Sequence, residues 1–181
     1  RRSGSEIEWS LDKRCPCGDF DIVYVKDEKV PRCSGSYDCK ISKKEMLIYF
    51  ASKSGLDIEG LGRETVETLI ANKLVKNFED FYSLTYEELI SLPQWKEKKT
   101  KNLLEAIEKS KNSEQEKLLP ALGIRYVGKQ TSKLLVNTFG SIKNIFDASS
   151  DEINKIHGIS ESVSNSLICL LYTSPSPRDC Q

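Results

Sequence analysis

One histidine in 181 residues, no apolar run of membrane length and no surplus of either charge narrow the chemistry before any motif is read. His157 stands alone, far along the chain from the cysteines, so a histidine-based metal centre and histidine acid–base catalysis are both disfavoured. The longest uncharged stretch, 162–177, is too short and too polar to span a bilayer, which argues against a membrane partner. No apolar stretch follows Arg1-Arg2-Ser3-Gly4-Ser5, so a secretory signal is not expected and a cytoplasmic location is.

The 27 basic and 27 acidic residues cancel, and the total says nothing about a polyanionic partner. Their distribution says more. Residues 57–90 carry eight acids against Arg63, Lys73 and Lys76, a balance of minus five. Residues 91–143 carry eleven basic residues, among them Lys96, Lys98, Lys129 and Lys133, against five acids, a balance of plus six. A local surplus of this kind supplies salt-dependent, sequence-independent attraction to a polyanion.

What is present is a repeat. Ile58-Glu59-Gly60-Leu61-Gly62, Leu92-Pro93-Gln94-Trp95-Lys96, Arg125-Tyr126-Val127-Gly128 and Ile156-His157-Gly158-Ile159-Ser160 recur at spacings of 32 to 34. Four positions after each stretch stand Val66, Thr100, Ser132 and Ser164, and seven positions after it Leu69, Leu103, Leu135 and Leu167. That offset of three places the small residue and the leucine on one face of a helix, so a helix is expected to start after each turn. Glycine in a tight turn lets main-chain amides approach an oxyanion closely, and the unpaired N–H groups of the following helix suit a phosphate. Such contacts position a protein on a duplex without reading bases. The first stretch keeps two glycines, the third keeps Gly128, the fourth Gly158, and the second neither, which marks the second as the weakest phosphate site.

Cys15, Cys17, Cys33 and Cys39 form two close pairs in the first part of the chain. Four thiolates without histidine suit a closed, tetrahedral, structural zinc site. Phe20, Ile22, Tyr24 and Val30 flank the turn-like Lys26-Asp27-Glu28-Lys29, so a short β-ribbon is expected to bring the pairs together. Cys169 reads as a small apolar side chain, and Cys180 has no evident partner.

The order of these features, with Tyr49-Phe50-Ala51-Ser52-Lys53-Ser54-Gly55-Leu56-Asp57-Ile58-Glu59-Gly60-Leu61-Gly62 and Ala121-Leu122-Gly123-Ile124-Arg125-Tyr126-Val127-Gly128, closely resembles the zinc-finger and helix-hairpin-helix portion of bacterial NAD-dependent DNA ligases. The resemblance runs from about residue 15 to about residue 170. It implies a mainly α fold: a small four-cysteine zinc module with a short β-ribbon, followed by a helical domain of four helix-hairpin-helix repeats. It also implies nick sealing in duplex DNA during replication and repair, with AMP passed from NAD through a lysine to the 5′-phosphate before the 3′-hydroxyl is joined. Carried over by motif, zinc would be held by Cys15, Cys17, Cys33 and Cys39. The DNA backbone would be met by Gly60, Gly62, Arg63, Lys96, Lys98, Gly128, Lys129, Gly158 and Ser160.

Two departures stand out. Cys15-Pro16-Cys17-Gly18 is one residue shorter than the family's usual C-P-x-C-G, and the adenylation motif K-x-D-G is absent, so sealing by this chain alone is not expected. NAD and Mg would be used through adenylation and oligonucleotide-binding domains elsewhere in a longer parent, and the partner is nicked double-stranded DNA. The organisation expected is a linker over 1–14, a zinc finger over 15–42, helix-hairpin-helix repeats over 43–170, and an unpacked, non-native tail over 171–181. Helices are expected over 43–54, 63–72, 97–111, 129–138 and 161–170, with shorter ones over 78–82, 86–91, 142–146 and 151–155. Thr85-x-x-Glu88 and Ser149-x-x-Glu152 read as capping boxes. Competing readings are a free-standing DNA-binding module of a repair or recombination complex, and a helical scaffold that touches no nucleic acid.

Overall fold

A computed structural model describes residues 10–24, 29–35 and 38–172, with side chains through 168. They fall into two compact units, the first ending at Lys43 and the second beginning at Lys44. In the first, β1 (Ile22–Val23) pairs antiparallel with β2 (Arg32–Cys33), Ile22 opposite Cys33. Arg14 bridges Asp21 on the other side. Gly35 lies so close to the Phe20 ring that any β-carbon there would collide with it. Lys26, Asp27 and Glu28 of the expected ribbon turn, the first nine residues and the tail from 173 lie outside the described residues.

Nine α-helices follow among the described residues: α1 (Lys40–Ala51), α2 (Arg63–Ala71), α3 (Tyr86–Ile90), α4 (Glu97–Ser110), α5 (Gln115–Ala121), α6 (Lys129–Phe139), α7 (Ile142–Asp147), α8 (Ser150–Asn154) and α9 (Glu161–Tyr172). The short helix expected over 78–82 is a 3-10 turn at Glu79–Ser83. Both capping boxes form, Thr85 with Glu88 and Ser149 with Glu152. The main-chain N–H groups that Glu88 and Glu152 accept hold both carboxyls below the usual range.

The second unit has two apolar cores. Leu47, Phe50, Leu61, Leu69, Phe81, Leu89 and Leu103 belong to one, which serves the first two turns. Leu119, Leu135, Ile145, Ile153 and Leu167 belong to the other, which serves the last two. Leu122 packs against both. The phased leucines Leu69, Leu103, Leu135 and Leu167 are all buried, as are Val66, Thr100, Ser132 and Ser164 one helical turn before them. That position needs small volume more than a hydroxyl, since valine fills it once.

α5 was not among the expected helices. Pro120 interrupts its ladder by leaving the Glu116 carbonyl without its helical donor. The hydroxyl of Ser132, on α6, donates to that carbonyl at 2.6 Å and replaces the lost bond. Thr100 Oγ1 and Ser164 Oγ, at the matching positions, have no hydrogen-bond partner among the described residues. Ser132→Ala should therefore destabilise by about 1 kcal/mol, the net worth of a hydrogen bond to this part-buried carbonyl. Thr100→Val should be within about 0.5 kcal/mol of neutral, because it removes a hydroxyl that pairs with nothing. Urea denaturation of the two variants reads the difference, and equal losses would refute the explanation of how α5 tolerates proline.

Candidate functional site

The four expected turns share one backbone course. The carbonyls of Ile58, Leu92, Ile124 and Ile156 accept from the N–H groups of Leu61, Trp95, Val127 and Ile159 at 3.1, 3.2, 3.1 and 3.1 Å. The residue before each donor is left-handed: Gly60 at φ 88°, Gln94 at 67°, Tyr126 at 61° and Gly158 at 94°. Glycine adopts that conformation freely, whereas Gln94 and Tyr126 do so at a cost of about 1 kcal/mol each. Sequence reasoning ranked the second turn low for lack of glycine, yet Gln94 makes the same bend. The signal was present in the alignment of Gln94 and Tyr126 with Gly60 and Gly158.

Two residues after each donor, a helix begins. The carbonyls of Gly62, Lys96, Gly128 and Ser160 accept from Val66, Thr100, Ser132 and Ser164, and so open α2, α4, α6 and α9. Gly62, Lys96 and Gly128 provide no side-chain cap, which leaves the first amides of their helices without that partner. Ser160 does cap α9, its hydroxyl accepting from the Val163 N–H at 3.4 Å, as Thr85, Ser141 and Ser149 cap α3, α7 and α8 at 3.4, 3.1 and 3.3 Å.

Gly62 and Gly128 have ordinary backbone angles, φ −68° and −90°, and a β-carbon on either would meet nothing within 4 Å. Neither torsion nor internal crowding calls for glycine there. A bare surface beside unpaired amides admits a close, anionic neighbour. All nine residues expected at the DNA backbone, Gly60, Gly62, Arg63, Lys96, Lys98, Gly128, Lys129, Gly158 and Ser160, are exposed.

They are not equally available. Arg63 forms a two-pronged pair with Glu45, both N···O distances 2.7 Å, and lies 3.8 Å from Glu67. The Arg63 fork holds the Glu45 carboxyl below its usual range, and Lys44 occupies Glu67 at 2.9 Å. The Arg63 guanidinium is paired with α1 through an exposed ion pair across 18 residues, which a stronger anion can displace. Lys96, Lys98 and Lys129 form no ion pair among the described residues. Lys99, one residue on, sits 4.2 Å from the Trp95 ring centroid.

In the first unit the sulfurs of Cys15, Cys17, Cys33 and Cys39 all lie within 4.8 Å of one another. Cys15 Sγ and Cys39 Sγ are 3.9 Å apart, too far for a disulfide and near the ~3.8 Å between ligands of a tetrahedral ion with ~2.3 Å metal–sulfur bonds. The shortened Cys15-Pro16-Cys17 spacing still delivers both sulfurs, helped by a turn in which the Gly18 N–H donates to the Cys15 carbonyl at 2.9 Å with Gly18 left-handed. Cys33 comes from β2, and Cys39 immediately precedes α1.

Burial pushes the Cys33 thiol up to about 12. At Cys39 burial acts the same way but is outweighed by hydrogen bonds from Ser42, whose amide lies 3.5 Å from the sulfur, and the thiol falls to about 6. Thiols packed this closely resist carrying negative charge together, a penalty that a bound cation would relieve. The donor set fits a metal ion. Among the described residues no helix is long and apolar enough to cross a membrane.

Residues 117–174, which include the last two turns, match the helix-hairpin-helix motif. The chain is 40% identical over 169 residues to a protein of Geobacter sulfurreducens named DNA ligase, covering 93% of this chain and 25% of that protein. A Bacillus subtilis protein of the same name is 37% identical over 173 residues, 95% of this chain and 26% of its own length. The Ligilactobacillus salivarius DNA ligase is 36% identical over 167 residues, 92% and 25%. The chain thus spans about a quarter of the length of these curated relatives, and nearly all of it is similar to part of a DNA ligase.

Proposed function

We propose that this chain is the duplex-gripping part of an NAD-dependent DNA ligase that seals nicks in replication and repair in the bacterial cytoplasm. The start of each hairpin helix offers main-chain amides to DNA phosphates. Gly62 and Gly128 carry the reading most directly: bare positions beside uncapped helix starts, with no conformational or packing reason for glycine. Gly60 and Gly158 shape their turns, Ser160 begins α9, and Lys96, Lys98 and Lys129 add charge. Arg63 contributes its main-chain N–H, and its guanidinium once it leaves the exposed pair with Glu45. The four cysteines hold a structural zinc ion. NAD and magnesium are used by domains of the parent enzyme that supply the adenylation lysine, and this chain alone does not ligate.

Binding to nicked, intact and single-stranded DNA over a salt series tests the reading. The expected result is duplex binding with little sequence preference, and affinity that falls steeply as salt rises. Absent or salt-insensitive binding would reject it. Restoration of ligation when adenylation and oligonucleotide-binding domains are added would distinguish a ligase part from a free-standing DNA-binding module.

A further inference from the structure

The third turn differs from the others in what it displays. Its left-handed residue is Tyr126, where the first and fourth turns have Gly60 and Gly158. A bulky aromatic residue is disfavoured in that conformation, and glycine would occupy it freely. The tyrosine is nevertheless 54% exposed, so core packing does not account for most of its ring. The Arg125 guanidinium lies over the ring, 5.5 Å from its centroid, so a cation backs one aromatic face. Two residues on is Gly128, the bare start of α6, followed by Lys129.

From these observations we infer that Tyr126 is a second kind of DNA contact, an aromatic platform that packs on a deoxyribose next to the phosphate held at Gly128. The inference rests on the duplex-gripping reading above. A phosphate is covalently followed by a sugar, and a residue two positions before the phosphate-binding amides is within reach of that sugar. An aromatic face packs well on the apolar face of a deoxyribose, and this contact carries no charge and reads no base. Arg125 backs one face of the ring, and the sugar would pack on the other. Backbone strain at an exposed turn tip is a recurrent mark of a residue kept for contact rather than for folding.

The test compares Tyr126→Gly and Tyr126→Phe with the unaltered chain, measuring affinity for an intact duplex over a salt series together with the melting temperature. Tyr126→Phe should bind as the unaltered chain does. Tyr126→Gly should bind about tenfold more weakly, as expected for loss of one aromatic contact, with the same salt dependence and an equal or higher melting temperature. Unchanged affinity in Tyr126→Gly would overturn the inference and leave the duplex-gripping reading standing. A fall in melting temperature alongside affinity would make the ring structural and overturn it as well. Failure of the unaltered chain to bind duplex would remove both.

Discussion

If the four cysteines hold zinc as proposed, its removal should unfold the unit ending at Lys43, while the unit beginning at Lys44 should melt at an unchanged temperature. Cys15 and Cys39 are the only apolar-class side chains buried in the first unit among the described residues, and its two strands are two residues each. Its core is in effect the sulfur cluster, with the Phe20 ring against Gly35 beside it. A structural zinc ion in such a site contributes on the order of 10 kcal/mol of folding free energy at neutral pH, and the remaining contacts cannot replace it. One zinc per chain should be found by elemental analysis. After chelation, amide resonances from residues 10–43 should collapse while those of the helices persist. Cys39→Ser should reproduce the effect without a chelator. A metal-free chain with the first unit intact would show that the cluster is not what holds it.

Gly128→Asp separates folding from binding because the two should move in opposite directions. Aspartate is a good first residue for a helix, and its carboxylate favours the positive end of the α6 dipole, so stability should hold or rise by up to about 1 kcal/mol. The added β-carbon meets nothing. The same carboxylate would cover the amides offered to a phosphate and repel it, so duplex affinity should fall by at least about tenfold, with a shallower salt dependence. Ser141→Asp makes the same charge change at a helix start that already has a cap, and should alter affinity far less. Isothermal titration and thermal melting read both quantities. A Gly128→Asp chain that binds normally would remove the phosphate from the third turn. Gly55→Ala is different in kind, since its β-carbon would run into the carbonyls of Tyr49 and Phe50 and the fold itself would be strained.

The features legible from sequence are those that depend on neighbours along the chain. Turn positions, buried leucines and the Thr85 and Ser149 caps follow from spacing and side-chain chemistry, and the structure contains them all. The four cysteines were identified by kind and pairing alone. What escaped depends on distant residues. The helix α5 survives Pro120 because Ser132, twelve residues later, supplies a donor. Gln94 and Tyr126 adopt glycine-like angles because the flanking Leu92, Trp95, Ile124 and Val127 are buried and fix the turn. The fork between Arg63 and Glu45 joins residues 18 apart, and no local pattern announces it. The main-chain part of the candidate interface was therefore readable, and its side-chain availability was not.

The division of the helical unit into two cores has a bearing on how damage spreads. A β-carbon at Gly60 would touch Leu103 on α4, and one at Gly158 would touch Leu134 on α6. Each outer bend thus rests on a helix belonging to its inner neighbour, and a lesion in either inner helix disables two grips at once. The two pairs meet at α5, which gives Leu118 and Ala121 to the first core and Leu119 to the second, with Leu122 against both. Damage to an inner helix should therefore weaken its own pair of bends first, whereas damage to α5 should reach all four.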